Sequence, residues 1–231
     1  MTTLDIYPAI DLMDGKVVRL YKGKKDSAKV YGDPLEIAQE FSEQVNKIHI
    51  VDLDGAFEGE PQNFGVVERI IEETGLSVQL GGGLRKIETL KRAYNSGVEN
   101  GIIGTMAFDE EFLEEASSRF PGLTVSLDVK GGKVRIKGWE EKSALGLDEA
   151  FEYARNYVDR FVFTSVESDG TLVGISKIDR FWEEEKVIYA GGVTSLVDIK
   201  NLEGIGFSAA IIGKALYEGN IKLSEALAAV E

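Results

Sequence analysis

No cysteine occurs in the chain, which excludes disulfides and thiolate zinc sites and fits a reducing, cytoplasmic setting. Histidine occurs once, at position 49, and no metal-ligand cluster is apparent. No apolar run approaches the roughly 18 residues that a membrane helix needs. The opening MTTLDIYPAID has neither the basic flank nor the apolar stretch of a signal peptide. Positive charge is scarce as well: 26 Lys and Arg stand against 40 Asp and Glu, a net charge of −14. Such a field repels nucleic acid and argues against a general polyanion binder. A small anionic substrate remains compatible with it where local amides, lysines and arginines outweigh the global charge.

What is present suits one large α/β core. The 231 residues, 43% hydrophobic and 29% charged, match a single (β/α)8-barrel domain over 1–231. Short β-rich runs alternate with amphipathic stretches. Strands are expected over 4–10, 47–53, 77–80, 101–103, 124–128, 160–164, 187–189 and 209–212, several of them near-continuous apolar runs as in buried parallel sheets. Helices are expected over 34–44, 64–74, 87–96, 109–118, 147–157, 175–184, 196–202 and 217–230. Asp33-Pro34 reads as an N-cap followed by proline at the first helical position. Two connections are long, 12–33 with the hairpin signal Asp14-Gly15 and 129–146 with Gly131-Gly132. Both follow strands, so both belong to the C-terminal face, where such barrels place their active sites.

The two halves resemble each other. Asp11, Gly15, Lys16 and Val17 match Asp128, Gly132, Lys133 and Val134 at an offset of 117. Lys22-Gly23 matches Lys137-Gly138, and Asp54-Gly55 matches Asp169-Gly170, both at 115. Gly82-Gly83, Gly97 and Ile102-Ile103-Gly104 match Gly191-Gly192, Gly206 and Ile211-Ile212-Gly213 at 109. A duplicated four-strand unit follows, so the TIM barrel is built from two similar (β/α)4 halves. In a closed ring the first and fifth strands stand on opposite sides, and Asp11 then faces Asp128 across the mouth.

Two glycine-rich sets read as phosphate cradles: Gly82, Gly83, Gly104 and Thr105 with Arg85, and Gly191, Gly192, Gly213 and Lys214. Glycine lets backbone amides approach an anion, and the following helix adds a favourable dipole. Tight turns alone would also use these glycines, but two sets at symmetric places favour a substrate with a phosphate at each end. Asp11 and Asp128 straddle its middle, where two carboxylates divide into acid and base. Thr164 and the loop Asp169-Gly170-Thr171 follow the sixth strand and are further site candidates, as are Arg19 in the first long loop and Trp139 in the second, the latter able to stack on a flat heterocycle. His49 reads as a packed or hydrogen-bonded core residue, and Trp182 as packing.

These motifs together resemble the ProFAR isomerases of histidine biosynthesis over essentially the whole chain. The resemblance rests on Pro8-Ala9-Ile10-Asp11-Leu12, Gly15-Lys16-Val17-Val18-Arg19-Leu20, the run His49 to Ala56, Gln79 to Arg85, Ser126-Leu127-Asp128, Lys137-Gly138-Trp139, Thr164 to Thr171, Ala190 to Val193 and Ile212-Gly213-Lys214-Ala215. It implies an Amadori rearrangement of a bis-phosphorylated aminoimidazole carboxamide ribotide, with Asp11 as base, Asp128 as acid, and Thr164 and Asp169 in supporting places. Gly170 joins the phosphate contacts. The resemblance implies no metal or organic cofactor and no obligatory protein partner. Many relatives carry Arg where this chain has Lys137, which weakens the case for the bifunctional members that also isomerise phosphoribosyl anthranilate. Two other readings stay open: the sister cyclase subunit of imidazole glycerol phosphate synthase, and a non-catalytic binder of phosphorylated metabolites.

Overall fold

The computed structural model describes residues 3–21, 24–136 and 141–230. In the first half, β1 (Asp5–Met13) leads into the hairpin strands β2 (Lys16–Tyr21) and β3 (Lys24–Gly32), then α1 (Pro34–Ser42), β4 (Lys47–Asp52), α2 (Leu53–Glu58) and α3 (Phe64–Thr74). β5 (Ser77–Gly81), α4 (Ile87–Asn95), β6 (Asn100–Ile103), a 3-10 turn (Thr105–Phe108) and α5 (Glu110–Arg119) complete it. The second half runs β7 (Thr124–Lys130), β8 (Lys133–Ile136), β9 (Glu141–Gly146), α6 (Leu147–Ala154), β10 (Arg160–Ser165), β11 (Lys186–Ala190), α7 (Leu196–Ile205), β12 (Ala209–Ile212), α8 (Lys214–Tyr217) and α9 (Leu223–Ala228).

The near-continuous apolar runs become the barrel. β1, β4, β5, β6, β7, β10, β11 and β12 pair in parallel in that order. β12 returns to β1, with Ala209 opposite Asp5 and Ile211 opposite Tyr7, so the ring closes and no barrel edge is left open. Such strands bury both faces, hence the loss of simple alternation. Ile48, Ile50, Val78 and Leu80 face the helices and belong to the large outer core. Tyr7, Ala9, Ile102, Val162, Ile188, Ala190, Ala209 and Ile211 form a separate cluster inside the barrel. Each large side chain so buried contributes roughly 1.5–3 kcal/mol of transfer free energy. Ala9 and Ala190 are small, which leaves room above this layer for a cavity at the C-terminal mouth.

Both long connections rise from that mouth as hairpins. Asp14 (φ 49°) with Gly15 (φ 70°), and Gly131 (φ 57°) with Gly132 (φ 71°), take the paired left-handed angles of tight two-residue turns. Each turn folds the chain back against the barrel strand it has just left, β2 on β1 and β8 on β7. At the start of α1, Asp33 accepts from the amides of Leu35 and Glu36, with Pro34 beginning the helix.

Two expectations about helices need correction, and one helix was not expected. Residues 175–184 carry helically spaced apolar groups but form no helix. Ser176 is held instead by tertiary bonds: its Oγ pairs with Ser165 Oγ at 2.6 Å and Ser168 Oγ at 2.7 Å, and its amide donates to Tyr189 Oη at 3.0 Å. The apolar groups still pack, with Trp182 buried against Phe207 and Phe181. Residues 217–230 are not one helix, because Gly219 (φ 72°) ends α8 and the chain restarts at α9. The short α2 went unforeseen. It is built on Asp52, whose buried carboxylate accepts from the amides of Gly55, Gln62 and Asn63 and from Asn63 Nδ2.

Candidate active site

A cavity of ≈ 310 Å³ opens at the C-terminal ends of the barrel strands, within the size range of small-ligand sites. Asp11, near the end of β1, and Asp128, on β7, both line it, as do Thr164 and Asp169. Asp11 lies 2.6 Å from Arg19 Nη1. The hairpin turn makes this pair possible, because it folds β2 back along β1. Arg19 Nη2 also donates to the Ala9 carbonyl. The Tyr217 hydroxyl donates to the same carbonyl at 2.9 Å, and its ring lies 5.0 Å from the Arg19 guanidinium. Asp128 accepts from Ser126 Oγ at 2.9 Å, and Thr164 lies beside it across the β7–β10 pairing.

The carboxyl groups share one low-dielectric space. Burial raises the Asp11 pKa, and Arg19 only partly counters it. Asp169 is pushed up to about 6, first by burial, then by the negative charge of Asp11, with Arg19 opposing and Asp128 adding to the rise. His49 also lines the cavity, but burial and the Arg19 charge hold it at about 3, so its ring is neutral. Its Nδ1 pairs with Gln79 Nε2 at 2.9 Å. That is the hydrogen-bonded core role expected of it.

Both glycine sets line the same cavity, on opposite halves of the ring. Gly82 (φ 101°) and Gly191 (φ 94°) sit against the backbone of Asp52 and Ser165, where any Cβ would collide. Gly104 (φ −113°, ψ −86°) and Gly213 (φ −112°, ψ −97°) share one unusual backbone geometry. The duplication seen in the sequence therefore extends to dihedral angles. Tight packing explains Gly82 and Gly191 by itself; it does not explain why Gly104, with no described residue within 4 Å of a Cβ, is also glycine. Lys214 Nζ donates to the Gly170 carbonyl at 2.9 Å, joining the loop after β10 to α8. Arg85 Nη2 donates to the Ala56 carbonyl at 2.7 Å, fixing the end of α2 at the rim. Among the described residues no group of three or more His, Cys, Asp or Glu is placed to hold a metal ion.

The family profile described as "Histidine biosynthesis protein" matches residues 5–222. A relative from Thermococcus onnurineus is 61% identical over 98% of this chain and 99% of its own length. One from Pyrococcus furiosus is 62% identical over 96% and 92%, and one from a Picosynechococcus strain 41% over 98% and 93%. All three are named as the isomerase of 1-(5-phosphoribosyl)-5-((5-phosphoribosylamino)methylideneamino)imidazole-4-carboxamide, the ProFAR isomerase. The chain belongs to the histidine-biosynthesis isomerase family.

In this family member the structure brings together the described residues singled out from sequence, with one exception: Asp11, Arg19, Gly82, Gly83, Arg85, Gly104, Thr105, Asp128, Thr164, Asp169, Gly170, Gly191, Gly192, Gly213 and Lys214 line one cavity, whereas Thr171 turns its hydroxyl to the Ser168 carbonyl at 2.6 Å and does not line it. Trp139, with Lys137 and Gly138, lies outside the described residues. Three contributors were missed. Ser126 stands two residues before Asp128, hence on the same strand face, a signal that period-two reading would have caught. Arg135 lines the cavity from β8, a strand not foreseen. Tyr217 is far from Asp11 along the chain, and no local pattern ties them. The repeat also diverged: Asp54, counterpart of Asp169, accepts from the Asp14 amide at 2.7 Å and from Asn63 at 3.0 Å, so it anchors the β1–β2 turn.

Proposed function

We propose that this chain isomerises ProFAR, an aminoaldose with a phosphate at each end, to its aminoketose by an Amadori rearrangement, using carboxyl groups as acid and base. The observation that carries the proposal is a cavity lined by three carboxyl groups and by two matched glycine cradles on opposite halves, a pattern suited to a bis-phosphorylated substrate. Asp128 is the acid: it gives its proton to the ribose ring oxygen as the C1–O bond breaks, leaving a protonated Schiff base. Asp11 is the base. It removes the proton from carbon 2, and the resulting enolamine tautomerises as carbon 1 gains a proton and the carbon 2 hydroxyl becomes a carbonyl. Atoms and electrons balance within the substrate, so no redox partner enters. A base with a raised pKa takes a proton more readily, and Arg19 holds Asp11 in place while it does so. Thr164 supports Asp128 from the adjoining strand.

A second assignment of the acid has an observation of its own. Asp169, at about 6, retains its proton closer to neutrality than an ordinary carboxyl, which suits a donor. Steady-state turnover of ProFAR, measured without metal, ammonia or a partner protein, tests the proposal. Asp11→Asn and Asp128→Asn should each lower kcat by about 10²- to 10⁴-fold with the fold intact. Near-normal turnover in either variant removes that residue from the acid–base pair. If Asp128→Asn keeps activity and Asp169→Asn loses it, the acid is Asp169. If ProFAR is untouched but its ketose is consumed once ammonia is supplied, the chain is a cyclase.

A further inference from the structure

Four cationic side chains among the described residues line the cavity: Arg19, Arg85, Arg135 and Lys214. Three already have partners. Arg19 holds Asp11, Arg85 holds the Ala56 carbonyl and Lys214 holds the Gly170 carbonyl. The Arg135 side chain makes no hydrogen bond or ion pair among the described residues, and its Nε, like that of Arg19, is buried without a partner. A guanidinium left in this condition at a cavity wall is poised for a ligand, since an unmet buried donor is costly and a bound anion would meet it.

The duplication shows which end of the ligand that is. β2 and β8 are the hairpin partners of the first and fifth barrel strands. From β2, Arg19 reaches over to the eighth strand and lies against Gly213, where a Cβ would come within 2.6 Å of its Cζ. From β8, Arg135 lines the mouth in the second half. Pairing of Val129 with Val134 puts β8 beside the end of β7 that carries Asp128, one strand from Gly104, the repeat counterpart of Gly213. Arg19 fills the space at Gly213, whereas no described residue lies within 4 Å of a Cβ at Gly104. That half of the mouth has both an arginine with an unmet donor and a glycine that no described side chain fills.

We propose that Arg135 is a substrate-binding residue that clamps the phosphate held at Gly82, Gly83, Gly104 and Thr105. The inference rests on the two-phosphate reading of the cavity above. The two hairpin arginines then differ in role, with Arg19 serving the base and Arg135 the far phosphate. The need for it is electrostatic. Three carboxyl groups and a net charge of −14 oppose a phosphate dianion here, and Arg85 is directed to backbone. A guanidinium meets two phosphate oxygens at once, which lysine does not.

The test uses the full chain and two probes. In a titration with inorganic phosphate followed by 31P NMR, the wild type should show two sites. Arg135→Ala should weaken one of them by about tenfold, and Arg135→Lys should weaken it less. With ProFAR, Arg135→Ala should raise KM by about tenfold, a larger change than its effect on kcat. Equal phosphate affinities and equal KM in wild type and Arg135→Ala, with thermal unfolding showing both folded, would overturn the assignment. Selective weakening of one phosphate site in a chain that leaves ProFAR unchanged would support Arg135 and sink the isomerase reading.

Discussion

At Asp169, burial and the charges of Asp11 and Asp128 raise the carboxyl to about 6 against the pull of Arg19. Because the folded-state value lies above the ordinary 3.8, ionisation of this group opposes folding. The stability it contributes is complete below the ordinary carboxylate range and is lost as pH rises through about 6. Asp169→Asn removes that loss. Thermal unfolding of variant and wild type should therefore differ more in the variant's favour at about pH 7 than at about pH 4. A constant difference would show that Asp169 titrates normally. The same position illustrates what residue identity leaves open. Asp54 and Asp169 occupy matching places in the repeat, and each is followed by glycine. One accepts through its Oδ2 from the Asp14 amide and from Asn63, whereas the other faces two carboxylates. Their chemistry is set by neighbours, not by motif.

Among the elements, the eight barrel strands matched expectation closely, because buried parallel strands are marked by composition: β12 spans the expected 209–212, and β4 begins at the expected 47. Helices with caps or clear stops were legible too, as with α1 after Asp33-Pro34 and the expected 64–74 of α3. The failure at 175–184 has a physical reason. Helical spacing reports which residues are apolar, and here Phe181 and Trp182 meet the core without a helix to present them. Trp182 fills the place with an indole 4.5 Å from the Phe207 ring and 4.9 Å from Phe181. Trp182→Ala should cost about 3–5 kcal/mol in a denaturant titration, as for other fully packed aromatics. A loss under about 1 kcal/mol would mean that the segment repacks freely.

For the whole molecule, the excess of 14 negative charges is a long-range repulsion that salt screens. Salt also weakens surface pairs such as Lys29–Glu218 and Arg69–Glu73. Exposed pairs of that kind contribute only about 0–1 kcal/mol each, so relief of net repulsion should win. Raising ionic strength from about 0.01 M to about 0.15 M, which shortens the screening length from about 30 to about 8 Å, should raise Tm by a few degrees. A fall in Tm would give the pairs the larger share.

The amino-acid sequence by itself determined the barrel and its two-fold internal repeat, because strand burial and glycine spacing are local and periodic signals. It also determined that Asp11 and Asp128 oppose each other, since the ring geometry follows from the repeat. Tertiary structure alone decided the electrostatics. The Arg19–Asp11 pair, the Tyr217 bond to the Ala9 carbonyl, the raised Asp169 and the unmet donor of Arg135 all depend on which groups meet across the mouth and how much water reaches them. Charge interactions act through space and through burial, and neither is written in the order of residues along the chain.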